Sequence, residues 1–448
     1  MTTTRRQFLK YSATATLLAS MRGGQVMAQT SGTPVFWVQL FATGGWDQML
    51  FCDPKFGIRS SASGGHHSLA QLKTVANIDY VDAYDVAQPT IRPVDPFFQE
   101  FGSRLLVING VDTTTNNHDV GIRYWMTGSL LEGFPIFAAQ VAGCLGADRV
   151  MPLVDISGYD DGGGLVVPVR LDYTALPTVS RLRDPNSPSG GEYSQRYQEA
   201  TVQTDALLTS NARASVQAAQ AARLQRLRSR LTLPQHARAL NAWERARAAV
   251  PGLANLDVPS AGAGSVQNLV LMGINAFKAG LATSMTLSAG NTNLDAHGIA
   301  DYDHLDALGD VFETAKFIAN SADAAQVPTI IVMSSDFGRT PVRETSGSGH
   351  WPIASMMVLQ NTAAKNLNLL PSGKVIGGTT GTQDGPNDVR TVLQARKINP
   401  TTHVFDDTGV ILSPSHVFRA LRRVAGIADH PSLRAYPIAI EGSDLELV

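Results

Sequence analysis

Continuous apolar runs bounded by polar turns recur along this chain, each with the length of a buried strand. Val35 to Phe41 is the first, rich in Val, Phe and Trp, and it closes on Gly44-Gly45. Leu105 to Asn109, Pro152 to Ser157, Met285 to Ser288, Thr329 to Ser334 and Ala354 to Gln360 repeat the pattern. Runs without alternation belong to strands covered on both faces rather than one. Between them lie stretches of helical period. Asp306 to Ala322 sets Leu308, Val311, Phe312, Ala315 and Ile318 on one side. Ser415 to Val424 reads as a late helix opened by a serine after Pro414. Together these predict an α/β domain: a central, mostly parallel sheet with helices on both faces.

Residues 193–249 break that rhythm. They are rich in Ala, Gln, Arg and Leu, and Leu224, Leu227 and Leu231 recur at a helical interval. This predicts a pair of helices broken near Pro234, inserted between sheet segments. The pair serves either as an ordinary cover for the sheet or as a cap or partner surface.

The N-terminus carries an address rather than structure. Arg5-Arg6-Gln7-Phe8-Leu9-Lys10 is a twin-arginine run, followed by a modest apolar stretch from Tyr11 to Met21 and by Val26-Met27-Ala28. The stretch is too short and too weakly apolar for a permanent membrane span, and small residues at the end suit cleavage after Ala28. The expectation is a signal peptide over 1–28 read by the twin-arginine translocase, a mature domain over 31–448, and a periplasmic or secreted location.

Composition adds limits. The chain has 448 residues, 44% hydrophobic and 17% charged, which is ordinary for a globular protein. Its 36 basic residues nearly balance 38 acidic ones, so there is no electrostatic case for a nucleic-acid partner. The only cysteines are Cys52 and Cys144. They are too few for a structural thiolate zinc site, but could pair in an oxidising compartment.

Four clusters of candidate chemistry fall at the ends of expected strands, where open α/β sheets bind ligands. The first is Gly44-Gly45-Trp46-Asp47. The second is Thr113 to Asn117 with His118. The third is Asp295-Ala296-His297 with Asp301 and His304 beyond. The fourth is Ser334-Ser335-Asp336-Phe337-Gly338-Arg339 with His350. Carboxylates of Asp47, Asp295 and Asp336 with imidazoles of His297, His304 and His350 are mixed oxygen and nitrogen donors. Such donors suit a divalent ion, zinc or manganese. Thr114 or Thr115 ahead of a helix is a candidate nucleophile for an anionic ester, and Arg339 a candidate to steady an anionic oxygen.

In order and rough spacing these landmarks resemble the bacterial family known as domain of unknown function 1501, within the alkaline phosphatase-like superfamily. Gly44 to Asp47 matches its opening Gly-Gly-Trp-Asp. Asn117-His118 is similar to its Ser-His step, Thr127-Gly128 to a later Thr-Gly, and Asp295-Ala296-His297 to its Asp-Thr-His. Ser335 to Arg339 resembles Ser-Glu-Phe-Gly-Arg, and Gly347 to Trp351 resembles Gly-Thr-Asp-His-Gly. The likeness extends from about residue 34 to 427. Three positions depart from the pattern: Gly349 stands where the family has an acid, Asn117 where it has serine, and Phe337 where the superfamily often has a metal-binding histidine. The resemblance implies an alkaline phosphatase-like fold. It implies one ion on Asp295, His297 or His304, and His350, and a second on Asp47, Asp336 and a threonine hydroxyl. Hydrolysis of a small phosphate or sulfate ester outside the cytoplasm is the activity implied. The alternative is a non-catalytic exported protein that keeps the fold.

Overall fold

The apolar runs become the strands of one sheet. The computed structural model describes residues 33–55, 71–83, 90, 92–156, 159–172, 210–231, 256–259, 266–289, 294–297, 301–342, 347–383, 387–388 and 390–447, with 233, 236–237, 240–241 and 244. The expected signal peptide, the segment from Pro185 to Gly191 and much of the 193–249 insertion lie outside them. Among the described residues, no helix is long and apolar enough to cross a membrane.

The strands in chain order are β1 (Phe36–Ala42), β2 (Gln71–Val75), β3 (Ile78–Asp82), β4 (Leu105–Asp112), β5 (Leu153–Asp155), β6 (Pro168–Arg170), β7 (Ser284–Ser288), β8 (Thr329–Ser335), β9 (Gly338–Arg339), β10 (His350–Trp351), β11 (Ile353–Gln360) and β12 (Lys374–Gly377). Eight form one sheet in the order β12-β4-β11-β8-β1-β7-β5-β6. β11 runs antiparallel to both its neighbours, β4 and β8. Every other pairing in the sheet is parallel. Seven strands therefore point one way, and only β11 enters from the far end. β2 with β3, and β9 with β10, form small antiparallel pairs.

Strand alternation then assigns the helices. Phe36, Val38, Leu40 and Ala42 of β1 face one core, and Val35, Trp37 and Phe41 face the other. The first core is covered by α1 (Val94–Phe101), α5 (Val266–Lys278) and α6 (Asp301–Ala324). The second is covered by α2 (His118–Thr127), α3 (Phe137–Leu145) and α8 (Pro414–Val424). The insertion contributes α4 (Ser210–Arg230), and α7 (Thr362–Lys365) is a single turn after β11. This is the α/β architecture expected from the pattern, with helices on both faces of a mostly parallel sheet.

One polar residue in the apolar β1 joins helices to sheet. Gln39 is buried, and its amide donates to the Met126 carbonyl (2.9 Å) at the end of α2 while its oxygen accepts the Ala138 amide (3.1 Å) at the start of α3. It thus satisfies helix-terminal groups that have no partner inside their own helices.

The two cysteines are free and buried. Cys52 belongs to the first core and Cys144 to the second, so the sheet stands between them and the pairing considered from sequence does not form. The cap of α8 also differs from expectation. Pro414 occupies the first helical position, where its missing N–H costs nothing, so the capping residue is Ser413, joined in a reciprocal box by His416.

Candidate metal centre

Because seven strands run together, the loops after β1, β4, β7 and β8 leave the sheet at the same end, and β11 enters there just after His350. Close packing of backbones follows. Gly44, at φ +120°, lies so near the third loop that a Cβ would sit 2.4 Å from the Asp295 nitrogen. Gly121 lets α2 press on the fourth loop, where a Cβ would sit 2.4 Å from the Asp336 carbonyl oxygen. These are contacts that only glycine permits.

Arg339 ties the loops together. It is fully buried, and Nε donates to the Gly45 carbonyl (2.8 Å) and Nη1 to the Ser348 carbonyl (3.1 Å). Nη2 donates to the carbonyls of Gly44 and Leu294 and to Asp295 Oδ1, the last at 2.8 Å. The planar fork thereby joins the first loop, the third loop and the segment before His350, a geometry a lysine ammonium cannot supply. Its donors are committed to the protein. Arg339 thereby acts as an internal clamp on these loops.

Asp295 is the carboxylate at the centre. Its Oδ1 lies 3.4 Å from His350 Nε2 and 3.6 Å from His297 Nε2, and its Oδ2 lies 3.6 Å from His118 Nε2. His297 and His350 face each other with Nε2 atoms 2.8 Å apart. One ligand atom from each of His118, Asp295 and His350 falls within 4.8 Å of the others. Partial burial works against ionisation of Asp295, but the Arg339 guanidinium, with His118 and His297, outweighs it and holds the carboxyl below its usual range.

The outer ring nitrogens are occupied. His118 Nδ1 lies 2.5 Å from Asp336 Oδ2, and the other Asp336 oxygen accepts the Gly44 amide (3.0 Å). His350 Nδ1 lies 2.7 Å from the Asn116 carbonyl oxygen. A carbonyl can only accept, so His350 carries its proton on Nδ1 and presents Nε2 as a lone pair. Burial, with Arg339 and His118 nearby, keeps that ring below the ordinary imidazole range despite the Asn116 bond. Burial likewise pushes the Asp336 carboxyl up, against the bonds from His118 and Gly44. Phe337 is buried beneath both rings, with centroids 4.8 Å from His118 and 4.2 Å from His350. The imidazole that the superfamily pattern would place at Phe337 is not supplied there; His118 brings one from α2.

Asp47 and His304 are placed differently. Both are buried; Asp47 caps the short turn Gln48–Leu50 through the Met49 amide (3.0 Å), and its own amide donates to His304 Nε2 (3.1 Å). The threonines do not occupy the helix start. Asn117 caps α2 by accepting the Val120 amide (3.2 Å), and His118 is its first residue. Thr114 donates its hydroxyl to the Thr113 carbonyl (2.7 Å) and adopts φ +55°. Thr115 Oγ1 accepts the Asn117 amide (3.1 Å). The helix start expected for the nucleophile therefore goes to an Asx cap. An asparagine oxygen one residue from the helix satisfies its free amides, and the threonines lie too early in the chain to do so.

No family model and no curated protein matches this chain. Solved structures similar to it include Ps i-CgsB in complex with k-i-k-neocarrahexaose, at 8% identity over 88% of this chain and 72% of that one, with a TM-score of 0.35. Another is the integral membrane protein lipooligosaccharide phosphoethanolamine transferase A (EptA) from Neisseria meningitidis, at 10% identity over 97% of this chain and 63% of that one, with a TM-score of 0.37. At these scores the likenesses carry no argument about activity, substrate or partner.

Proposed function

We propose that the chain is an exported, metal-dependent hydrolase of phosphate or sulfate esters, working from a centre of His118, Asp295 and His350 with His297 at its edge. The observation that carries this reading is the orientation of the imidazoles. His118 is braced through Nδ1 by a buried carboxylate and His350 by a backbone carbonyl, while their Nε2 atoms turn to Asp295. Carboxylate- or carbonyl-braced histidines facing a further carboxylate are the arrangement that holds divalent ions in proteins. Three nitrogens and a carboxylate oxygen suit zinc, with manganese a second candidate. The motif resemblance to domain of unknown function 1501 points to the same superfamily, and the twin-arginine run to the same compartment.

Bound here, a divalent ion would polarise an ester oxygen and offset the charge of an anionic substrate. The residues of the chain supply the rest. Asp336 fixes the His118 ring, Asn116 fixes the His350 ring, and Arg339 fixes Asp295 relative to both. His297, about half exposed at 56%, stands at the mouth, where it can accept or return a proton. Water reaches the same opening, so a water serves as nucleophile unless Thr114 or Thr115 turns from its present bond.

The test is metal analysis of protein recovered from the exported fraction, followed by a panel of phosphate monoesters, diesters and sulfate esters with zinc or manganese added. About one equivalent of metal, lost in His118→Ala and His350→Ala, is the expected result. Turnover of at least one ester class should vanish in the same variants and survive in Thr114→Ala and Thr115→Ala. Metal-loaded protein that turns over no ester supports the second reading, a non-catalytic exported metal-binding protein. Two observations favour that reading: each guanidinium nitrogen of Arg339 is bonded within the protein, and no threonine stands at the start of α2.

A further inference from the structure

Two exposed surfaces far apart in sequence carry matching patterns. Helix α4 contains five arginines and no acidic residue. Arg223, Arg226 and Arg230 are exposed and fall at i, i+3 and i+7, which places them on one side of the helix. On a helix of 100° per residue, Val216 and Leu227 border that stripe, and both are exposed, at 47% and 45%. Arg228, on another side, pairs with Glu244 and is not part of the stripe.

Helix α6 carries the opposite sign. Asp303, Asp306, Asp310 and Glu313 are exposed at i, i+3, i+7 and i+10, a single stripe of four acids. The stripe runs into a groove of about 720 Å³ between α5 and α6, lined by Asp310, Glu313 and the apolar Val266, Val270 and Phe317, with one cation, Lys316, which is paired with Glu100 (3.3 Å) and lies 3.9 Å from Glu313. Phe317 lies seven residues beyond Asp310, on the same side of the helix. The basic stripe spans about 10 Å and the acidic one about 15 Å at 1.5 Å per residue. Each surface thus offers charge beside an apolar strip: arginines beside Val216 and Leu227 on one, acids beside Val266 and Phe317 on the other.

We infer that α4 of one molecule seats in the α5–α6 groove of a second copy of this chain, arginine stripe against acidic stripe. Charge complementarity selects the occupant. One molecule displays both halves, and both are exposed within it, so two copies related by a twofold axis make the contact twice. Apolar residues set in the groove supply the attraction, and the charges set register and exclude wrong partners. The inference is independent of the proposed metal chemistry, because none of these residues belongs to the centre.

Two reversed variants of the purified protein test it. One carries Arg223→Glu, Arg226→Glu and Arg230→Glu; the other carries Asp306→Lys, Asp310→Lys and Glu313→Lys. All these positions are exposed, and circular dichroism checks that each variant is folded. By light scattering at moderate salt, the wild type is expected to have twice the monomer mass. Each variant alone should associate at least about 100-fold more weakly, since it sets like charges opposite each other. The two variants mixed should associate again, because every contact in the mixed pair joins opposite charges. A wild type that stays monomeric at high concentration overturns the inference. So does a dimer that both reversals leave intact, or a mixture that fails to recover. Monomeric wild type that binds vesicles of anionic lipid, and loses this in the arginine variant, also overturns it and assigns α4 to a membrane surface instead.

Discussion

His118 and Asp336, 218 positions apart in the chain, meet with Nδ1 and Oδ2 2.5 Å apart. Asp336 is fully buried and His118 half-buried, so the pair runs from the core to the mouth of the centre. The contact sets which nitrogen of His118 faces Asp295. It also links the start of α2 to the end of β8, two elements that the chain builds separately.

Replacing Asp336 with asparagine keeps the shape but removes the carboxylate that holds His118. Metal affinity is expected to fall by about 10- to 100-fold, the usual cost of losing such a brace, with the fold unchanged. Competition against a chelator measures it. Undiminished affinity would mean that His118 owes its orientation to something else.

Arg339→Met keeps an unbranched stem, shorter than that of arginine, and removes all its donors. The carbonyls of Gly44, Gly45, Leu294 and Ser348 then lose a partner in a buried place. Orphaned buried polar groups cost about 1–3 kcal/mol each, partly relieved by water, so a loss of about 3 kcal/mol or more in unfolding free energy is expected. Denaturant titration reads this. A variant as stable as the parent would show that the loops hold their positions without the clamp.

The cysteines give a pH signature. Burial pushes the Cys144 thiol up to about 12, and burial with the nearby Asp53 pushes Cys52 well up too. A free thiol ionises at about 8.5. Between these values the unfolded chain has lost protons that the folded chain keeps, so stability should fall as pH rises through that window. Below pH 8 neither thiol should react with an alkylating reagent until the protein unfolds. Rapid native labelling, read by mass spectrometry, would contradict the burial of both.

The proposed export depends on the twin-arginine run at Arg5 and Arg6. Changing both to lysine should strand the uncleaved precursor in the cytoplasm, as seen by fractionation and blotting. Secretion of the double variant at the normal level would remove the twin-arginine assignment.

The apolar runs of the sequence identified the main strands closely. Thr329 to Ser334 became Thr329–Ser335, and Ala354 to Gln360 became Ile353–Gln360. Such strands are legible because burial on both faces demands uninterrupted apolar residues, a local signal. β6 and β12 were not legible: they are short edge strands with partly exposed residues, and little distinguishes them from loops. The antiparallel direction of β11 was hidden for a different reason. Direction depends on where the chain returns, which composition does not record.

For the centre, sequence alone determined a set of acids and histidines at strand ends, because ligand-bearing loops follow strands and glycines mark their turns. It did not divide that set. Only the tertiary structure gathered Asp295, His297, Asp336, Arg339 and His350 with His118, and set the Asp47 backbone amide on His304 with its carboxylate on the Met49 amide. It also gave the start of α2 to Asn117 and His118 in place of a threonine, and committed Arg339 to backbone carbonyls. The physical reason is that a side chain's role follows from what its remaining donors and acceptors already hold. Several of those partners come from loops more than 200 residues apart, as His118 and Asp336 do, and no local pattern encodes such a pairing.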